Sequence, residues 1–155
     1  MSQWLDTIAS SDDFEAVARA IEHFENHYEN TRKHLEIKGK VLVGVSAFIP
    51  TLTDTIYVAW SELKAICQIL DLRKAAAIGK ARKTYIEHYD RTLSATQVEN
   101  YAKVDPTVIM ISEICIQMEY VLDKWEGLSK GLERMSHQVR LIGEMRKAGM
   151  DETVI

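Results

Sequence analysis

The chain has 155 residues, of which 46% are hydrophobic and 27% charged, with seven Gly and two Pro. That composition excludes a disordered chain and fits one globular domain with room for long elements. A formal net charge of −4 argues against an indiscriminate nucleic-acid binder, and the isolated Cys67 and Cys115 supply neither a zinc motif nor a disulfide framework.

Met1-Ser2-Gln3-Trp4 lacks the basic region and apolar run of a signal peptide, and residues 1–10 read as a short lead-in. Ser11-Asp12-Asp13 offers helix-start chemistry, capping oxygens and negative charge beside free N–H groups. Phe14, Val17, Ile21, Phe24 and Tyr28 then recur at spacings of three and four, so an N-terminal helix is expected to run to about residue 34. Val41-Leu42-Val43-Gly44-Val45 is rich in β-branched residues and lies between Gly39 and Pro50. Residues 35–50 are therefore expected to be an extended segment, either carrying one short β-strand or lying over a helix pair. The apolar run from Val41 to Pro50 is too short to span a membrane, which places the chain in the cytoplasm, the host's if the chain is viral.

Thr51 to Asp54 provides a second helix start. Ile56, Trp60, Leu63, Cys67, Leu70, Ala77, Ala81, Tyr85 and Tyr89 follow at a period close to 3.5, broken only at Lys74. The expectation is a long basic helix within residues 51–93, about 60 Å long at ~1.5 Å per residue, with Gly79 its weakest point. Ser94-Ala95-Thr96-Gln97 matches a capping box and opens a short helical insert over residues 94–104. Asp105-Pro106 then starts a second long helix, residues 105–149, closed by Ala148-Gly149. Its apolar stripe runs through Ile109, Ser112, Ile116, Met118, Leu122, Trp125, Leu128, Leu132, Met135, Val139, Ile142 and Met145. The fold expected is mainly α: a long antiparallel helical hairpin with a shorter N-terminal helix. Stripes this long are only partly covered within one chain, so a homo-oligomer is expected.

Nothing points to catalysis. The nucleotide-binding glycine loops and the Gly-x-Ser-x-Gly elbow are missing, and no glutamate has a histidine three residues later. His23 and His27 are one turn apart, but Glu22, Glu25 and Glu29 make that face an ordinary solvated one. No cofactor or metal is expected. Gly127-Leu128-Ser129-Lys130-Gly131 has the small-residue spacing that lets helix backbones approach closely.

Charge is unevenly distributed. Leu72 to Ile86 carries Arg73, Lys74, Lys80, Arg82 and Lys83 and no acid, so this window holds +5 while the other residues sum to −9. Tyr85 and Tyr89 lie beside the cations and can stack on bases. A charge run is ordinarily the solvated face of a helix. Repeated around a ring, the same five charges would form a continuous surface for tracking phosphates.

Lys80-Ala81-Arg82-Lys83-Thr84-Tyr85 resembles the Lys-Ala-Arg motif, followed by tyrosine, of the UvsY recombination mediators of T-even-like bacteriophages. Tyr89-Asp90-Arg91-Thr92-Leu93-Ser94, the Glu99-Asn100-Tyr101 insert and the closing Gln138-Val139-Arg140-Leu141-Ile142 and Met145-Arg146-Lys147-Ala148-Gly149 are similar in kind and order. The resemblance covers roughly residues 55–150 and rests on this order. It implies a non-enzymatic helper of DNA recombination and repair. Such a protein binds single-stranded DNA as a closed homo-oligomer, often a heptamer, and helps a RecA-like recombinase displace single-strand-binding protein. By position, Lys80 and Arg82 would contact phosphates, with Arg73, Lys74, Lys83, Tyr85 and Arg91 completing the surface. Lysine stands at 83 where the family has a hydrophobic residue, which strengthens the patch and leaves the facing of the helix open. The other reading is a helical oligomeric scaffold with no DNA role, whose basic patch is solvated or meets an acidic protein.

Overall fold

The computed structural model describes residues 3–10 and 13–149. In chain order these form α1 (Gln3–Ser10), α2 (Phe14–Arg32), a 3-10 turn (Lys33–Leu35), α3 (Leu42–Glu87), α4 (Ala95–Lys103) and α5 (Pro106–Lys147). The fold is mainly α, with no strand among the described residues.

Two very long helices organise the chain. α3 has 46 residues and α5 has 42, so each exceeds about 60 Å at ~1.5 Å per residue. They run in opposite directions: Leu42, Val43 and Ile49 share a groove with Val139, Arg140 and Gly143, whereas Lys80 and Thr84 share one with Asp105 and Thr107. The buried α3 residues Leu52, Ile56, Ala59, Leu63, Ile66 and Leu70 alternate in steps of four and three. Trp125, Leu128, Leu132, Met135 and Val139 of α5 do the same. That is the seam of two helices meeting like a coiled coil.

The expected extended segment at 35–50 is confined to residues 36–41, and its strand is overturned, because α3 begins at Leu42 and continues through Pro50 to Glu87. Among the described residues no strand is there to pair with residues 41–45. Leu42, Val45, Ile49 and Leu52 instead repeat at three and four residues and are buried or half-buried on the α5 side. Burial of that face outweighs the few tenths of a kcal/mol by which each valine disfavours a helix. Pro50 is exposed and brings no N–H, and the expected second start at Thr51–Asp54 is helix interior. There Thr53 Oγ1 donates to the Ile49 carbonyl at 2.8 Å and Thr55 Oγ1 to that of Thr51 at 2.9 Å. Those hydroxyls find partners without breaking the ladder.

The lead-in at residues 1–10 is also corrected, since Gln3–Ser10 is α1. Both its ends are served by α3. The Glu62 carboxylate accepts from the Leu5 N–H in the first turn. The Arg73 guanidinium donates to the Ile8 carbonyl in the last. An acid at the amino end and a base at the carboxyl end also match the helix dipole. Ser11 and Asp12 lie outside the described residues; Asp13 caps α2, its Oδ1 accepting from the Glu15 N–H at 2.9 Å.

α2 crosses α5 at Trp125. The indole is fully buried, and its Nε1 donates to the Phe24 carbonyl at 3.3 Å. Lys124 Nζ meets Glu25 Oε1 at 3.0 Å. The glycine spacing at 127–131 does not bring two helices together: a Cβ added at Gly131 would meet the Leu35 side chain at 3.4 Å, and one added at Gly127 would face open space.

The outward side of α3 is unusually apolar. Val43, Tyr57, Val58 and Leu72 are 55–77% exposed. An 18-residue stretch of α3 reaches a mean hydropathy of 1.4 with 17% of it buried, so by length and composition the helix qualifies to cross a membrane.

Candidate nucleic-acid interface

The end of α3 is built against α4. Ala81, Ala102 and Val108 form a small second core, with Ile78 and Tyr85 packed on it. Two caps fix the insert. Ser94 Oγ accepts from the Gln97 N–H at 3.3 Å while Gln97 Oε1 accepts from the Ser94 N–H at 3.0 Å. Asp105 Oδ1 accepts from the Thr107 N–H at 3.0 Å and opens α5. The capping box and the Asp-Pro start were both visible in the sequence, because caps are local chemistry.

The seven residues singled out from the sequence separate into two groups. Lys80, Arg82, Lys83 and Tyr85 gather at the end of α3, with Arg91 in the segment just beyond it. Arg73 and Lys74 do not join them. Arg73 is half-buried and engaged with α1, and Lys74 is half-buried on the side of α3 where its charge acts on Cys115.

Within the first group the cations differ. Lys83 is 72% exposed and only loosely paired with Glu87 at 4.0 Å. Lys80 is exposed in a groove of about 280 Å³ that it shares with Ala76, Ala77, Ala81, Thr84, Thr107 and the acidic Asp105. Steps of about 100° put Lys80 and Lys83 on one side of α3 and Arg82 on nearly the other. Arg82 is occupied: its Nε donates to Glu99 Oε2 and its Nη2 to Glu99 Oε1, each at 2.8 Å. That bidentate pairing raises the guanidinium pKa and holds the Glu99 carboxyl below the usual range, aided by the charge of Lys103.

On the Arg82 side of α3, away from Lys80 and Lys83, lies an aromatic cluster. Tyr101 of α4 stacks on Tyr85 with centroids 5.5 Å apart and planes at 27°, and it is equally close to Tyr89. A hydrogen bond with Tyr101 pushes the Tyr89 phenol up. Sequence reasoning did not single out Tyr101, Glu99 or Lys103 as site residues. They stand fourteen to eighteen residues beyond Tyr85 in a separate helix, and only the fold of α4 onto α3 brings them in.

The other polar groups serve packing. His27 lies edge-on to Trp125 at 5.0 Å and His23 lies against Trp4 at 5.4 Å. Burial, and then the charge of His23, lowers the His27 pKa. Among the described residues, no group of three His, Cys, Asp or Glu is placed to hold a metal ion. Burial pushes the Cys67 thiol up to about 12, helped by Glu119 and Asp71.

No family, curated protein or solved structure matches this chain in comparison, so the likeness to UvsY-type mediators is carried by the quoted residues alone.

Proposed function

We propose that this chain is a recombination mediator of the UvsY type. It binds single-stranded DNA as a ring-like homo-oligomer, a heptamer in the resembling family, and assists a RecA-like recombinase in replacing single-strand-binding protein. It works in the cytoplasm by binding, without catalysis or a cofactor. The observation that carries the reading is the meeting of exposed cations with stackable aromatics at one end of the molecule. Arg91 is exposed there with its charge acting on Tyr89 of the Tyr85–Tyr89–Tyr101 cluster, and Lys80 and Lys83 are exposed on the other side of α3. Cations that track phosphates and rings that stack any base are what a sequence-independent grip on a single strand requires.

The long α3–α5 pair also supports assembly. The chain exposes 10386 Å², whereas a compact monomer of its 17.7 kDa exposes about 7,900 Å². The excess reflects two long helices lying side by side rather than a rounded core. The outward apolar face of α3 is the surface that a neighbouring copy would cover. Around such a ring, the modest patch on each chain acts many times over.

A second reading, a helical scaffold without a DNA role, draws on the neutralisation of Arg82 by Glu99. Fluorescence anisotropy on labelled oligo-dT separates the two. Tight binding that weakens as salt rises, and that Lys80→Ala/Lys83→Ala reduces, supports the mediator. An assembled oligomer that ignores oligo-dT at low salt is the scaffold.

A further inference from the structure

Glu99 and Tyr101 sit two residues apart on α4, and each occupies a group that the DNA reading assigns to the strand. A guanidinium offers one flat fork of parallel N–H donors, and carboxylate and phosphate oxygens fit it in the same way. In this chain Glu99 fills the Arg82 fork with two bonds of 2.8 Å. An aromatic ring offers two faces, and Tyr101 stacks on one face of Tyr85, 5.5 Å away. One short helix therefore presents an anion to Arg82 and a ring to Tyr85, as a nucleotide presents a phosphate and a base.

We propose that α4 is a built-in stand-in for the nucleic acid: Glu99 holds the phosphate position on Arg82 and Tyr101 holds the base position on Tyr85, so a single strand must displace both to bind fully. This rests on the DNA-binding reading and adds its regulation. The attachment of α4 suits displacement. It has nine residues, too few to persist alone. Its buried side chains are only Val98 and Ala102, and the small core beneath it consists of Ala81, Ala102 and Val108. The Arg82–Glu99 pair is exposed to water at 47% and 38%, so an incoming phosphate reaches it without opening the main core. Lys80 and Lys83 lie off this contact and stay open for a first, weaker encounter. The surface thus has an open part that meets the strand and a covered part that engages only when α4 yields.

Glu99→Gln keeps the shape of the side chain and removes the competing charge. Oligo-dT anisotropy across a salt series is expected to show about 5-fold tighter binding at low salt, the scale of an exposed ion pair released. Adding Arg82→Gln should abolish the gain. A Glu99→Gln protein of unchanged helicity that binds equally or more weakly would overturn the proposal while leaving the DNA reading intact. If neither wild type nor variant binds at low salt, the DNA reading itself falls. Hydrogen exchange on the wild-type chain needs no variant: residues 95–103 should exchange faster when oligo-dT is bound, and slower exchange there would refute displacement.

Discussion

Arg73→Ala is expected to loosen α1 and leave DNA binding alone, although Arg73 belongs by sequence to the basic patch. The guanidinium donates to the Ile8 carbonyl, one of the orphan acceptors at the carboxyl end of α1, while Glu62 serves the amino end. A helix of eight residues does not hold itself together. It keeps its place through these two ends and through Ile8, which is fully buried. A hydrogen bond from a charged donor contributes about 1.5–3 kcal/mol. Losing it should lower the opening free energy of α1 by that amount and speed exchange of the amides at residues 3–10 roughly 10- to 140-fold. Urea unfolding should lose a comparable or smaller amount, because α1 can detach before the long helices part. The salt slope of oligo-dT binding should not change. The reasoning fails if Arg73→Ala leaves α1 protected but flattens that slope by about 0.7, the signature of a lost phosphate contact.

Two further outcomes follow from buried titratable groups. The folded pKa of His27 lies below its ordinary 6.5, lowered by burial and by His23. The unfolded chain therefore binds this proton more readily, and the stability that neutral His27 contributes is complete above 6.5 and lost as pH falls through the folded value. Urea midpoints measured from about pH 7 to about 5.5 should decline in wild type and stay flatter in His27→Gln. The Cys67 thiol, pushed up to about 12, is almost entirely protonated at neutral pH. It should resist iodoacetamide in the folded protein and react at an ordinary rate in urea, read by mass spectrometry.

The parts of the fold legible in sequence were those written in local chemistry. The Ser94 capping box, the Asp105-Pro106 start and the stop at Gly149, whose φ is +79°, needed only a few neighbouring residues to be read. Facing was legible where one residue per turn is apolar: from Trp125 to Val139 the expected stripe is the buried one. It failed where adjacent residues are both apolar. In Val108-Ile109-Met110-Ile111 and Ile114-Cys115-Ile116 any of several registers reads as a stripe. The structure buries Val108, Ile111 and Cys115 and leaves Ile109 and Ile116 43% and 64% exposed, one residue away from the expected face. α1 was not legible at all, since what holds it is a pair of α3 side chains more than fifty residues away. The site follows the same rule. The α3 cations were plain in the sequence, but the carboxylate that occupies one of them and the ring that covers its neighbouring tyrosine arrive from another helix.

The difficulty of reading α3 has a physical origin that is itself testable. Residues 41–50 suggested a strand because apolar side chains occur on every side of that segment, with Leu42, Val45 and Ile49 towards α5 and Val43 77% exposed. A helix apolar all round has to be covered on two sides, and α5 supplies one. Tyr57 and Leu72, 63% and 72% exposed, mark the other side farther along the same helix. Tyr57→Glu/Leu72→Glu places two charges on that face without touching the α5 seam. A copy of the chain could then no longer pack there, because a buried, unpaired carboxylate is strongly unfavourable. Native mass spectrometry should show the double variant as a monomer and wild type as a larger assembly, with helicity equal by circular dichroism. The oligo-dT salt slope should flatten with it, since a ring presents several patches to one strand and a monomer presents one. A double variant that stays assembled would place the subunit interface elsewhere. A wild-type monomer that partitions into lipid vesicles through this face would replace the second copy with a membrane, which is the other environment a helix of this hydropathy can occupy.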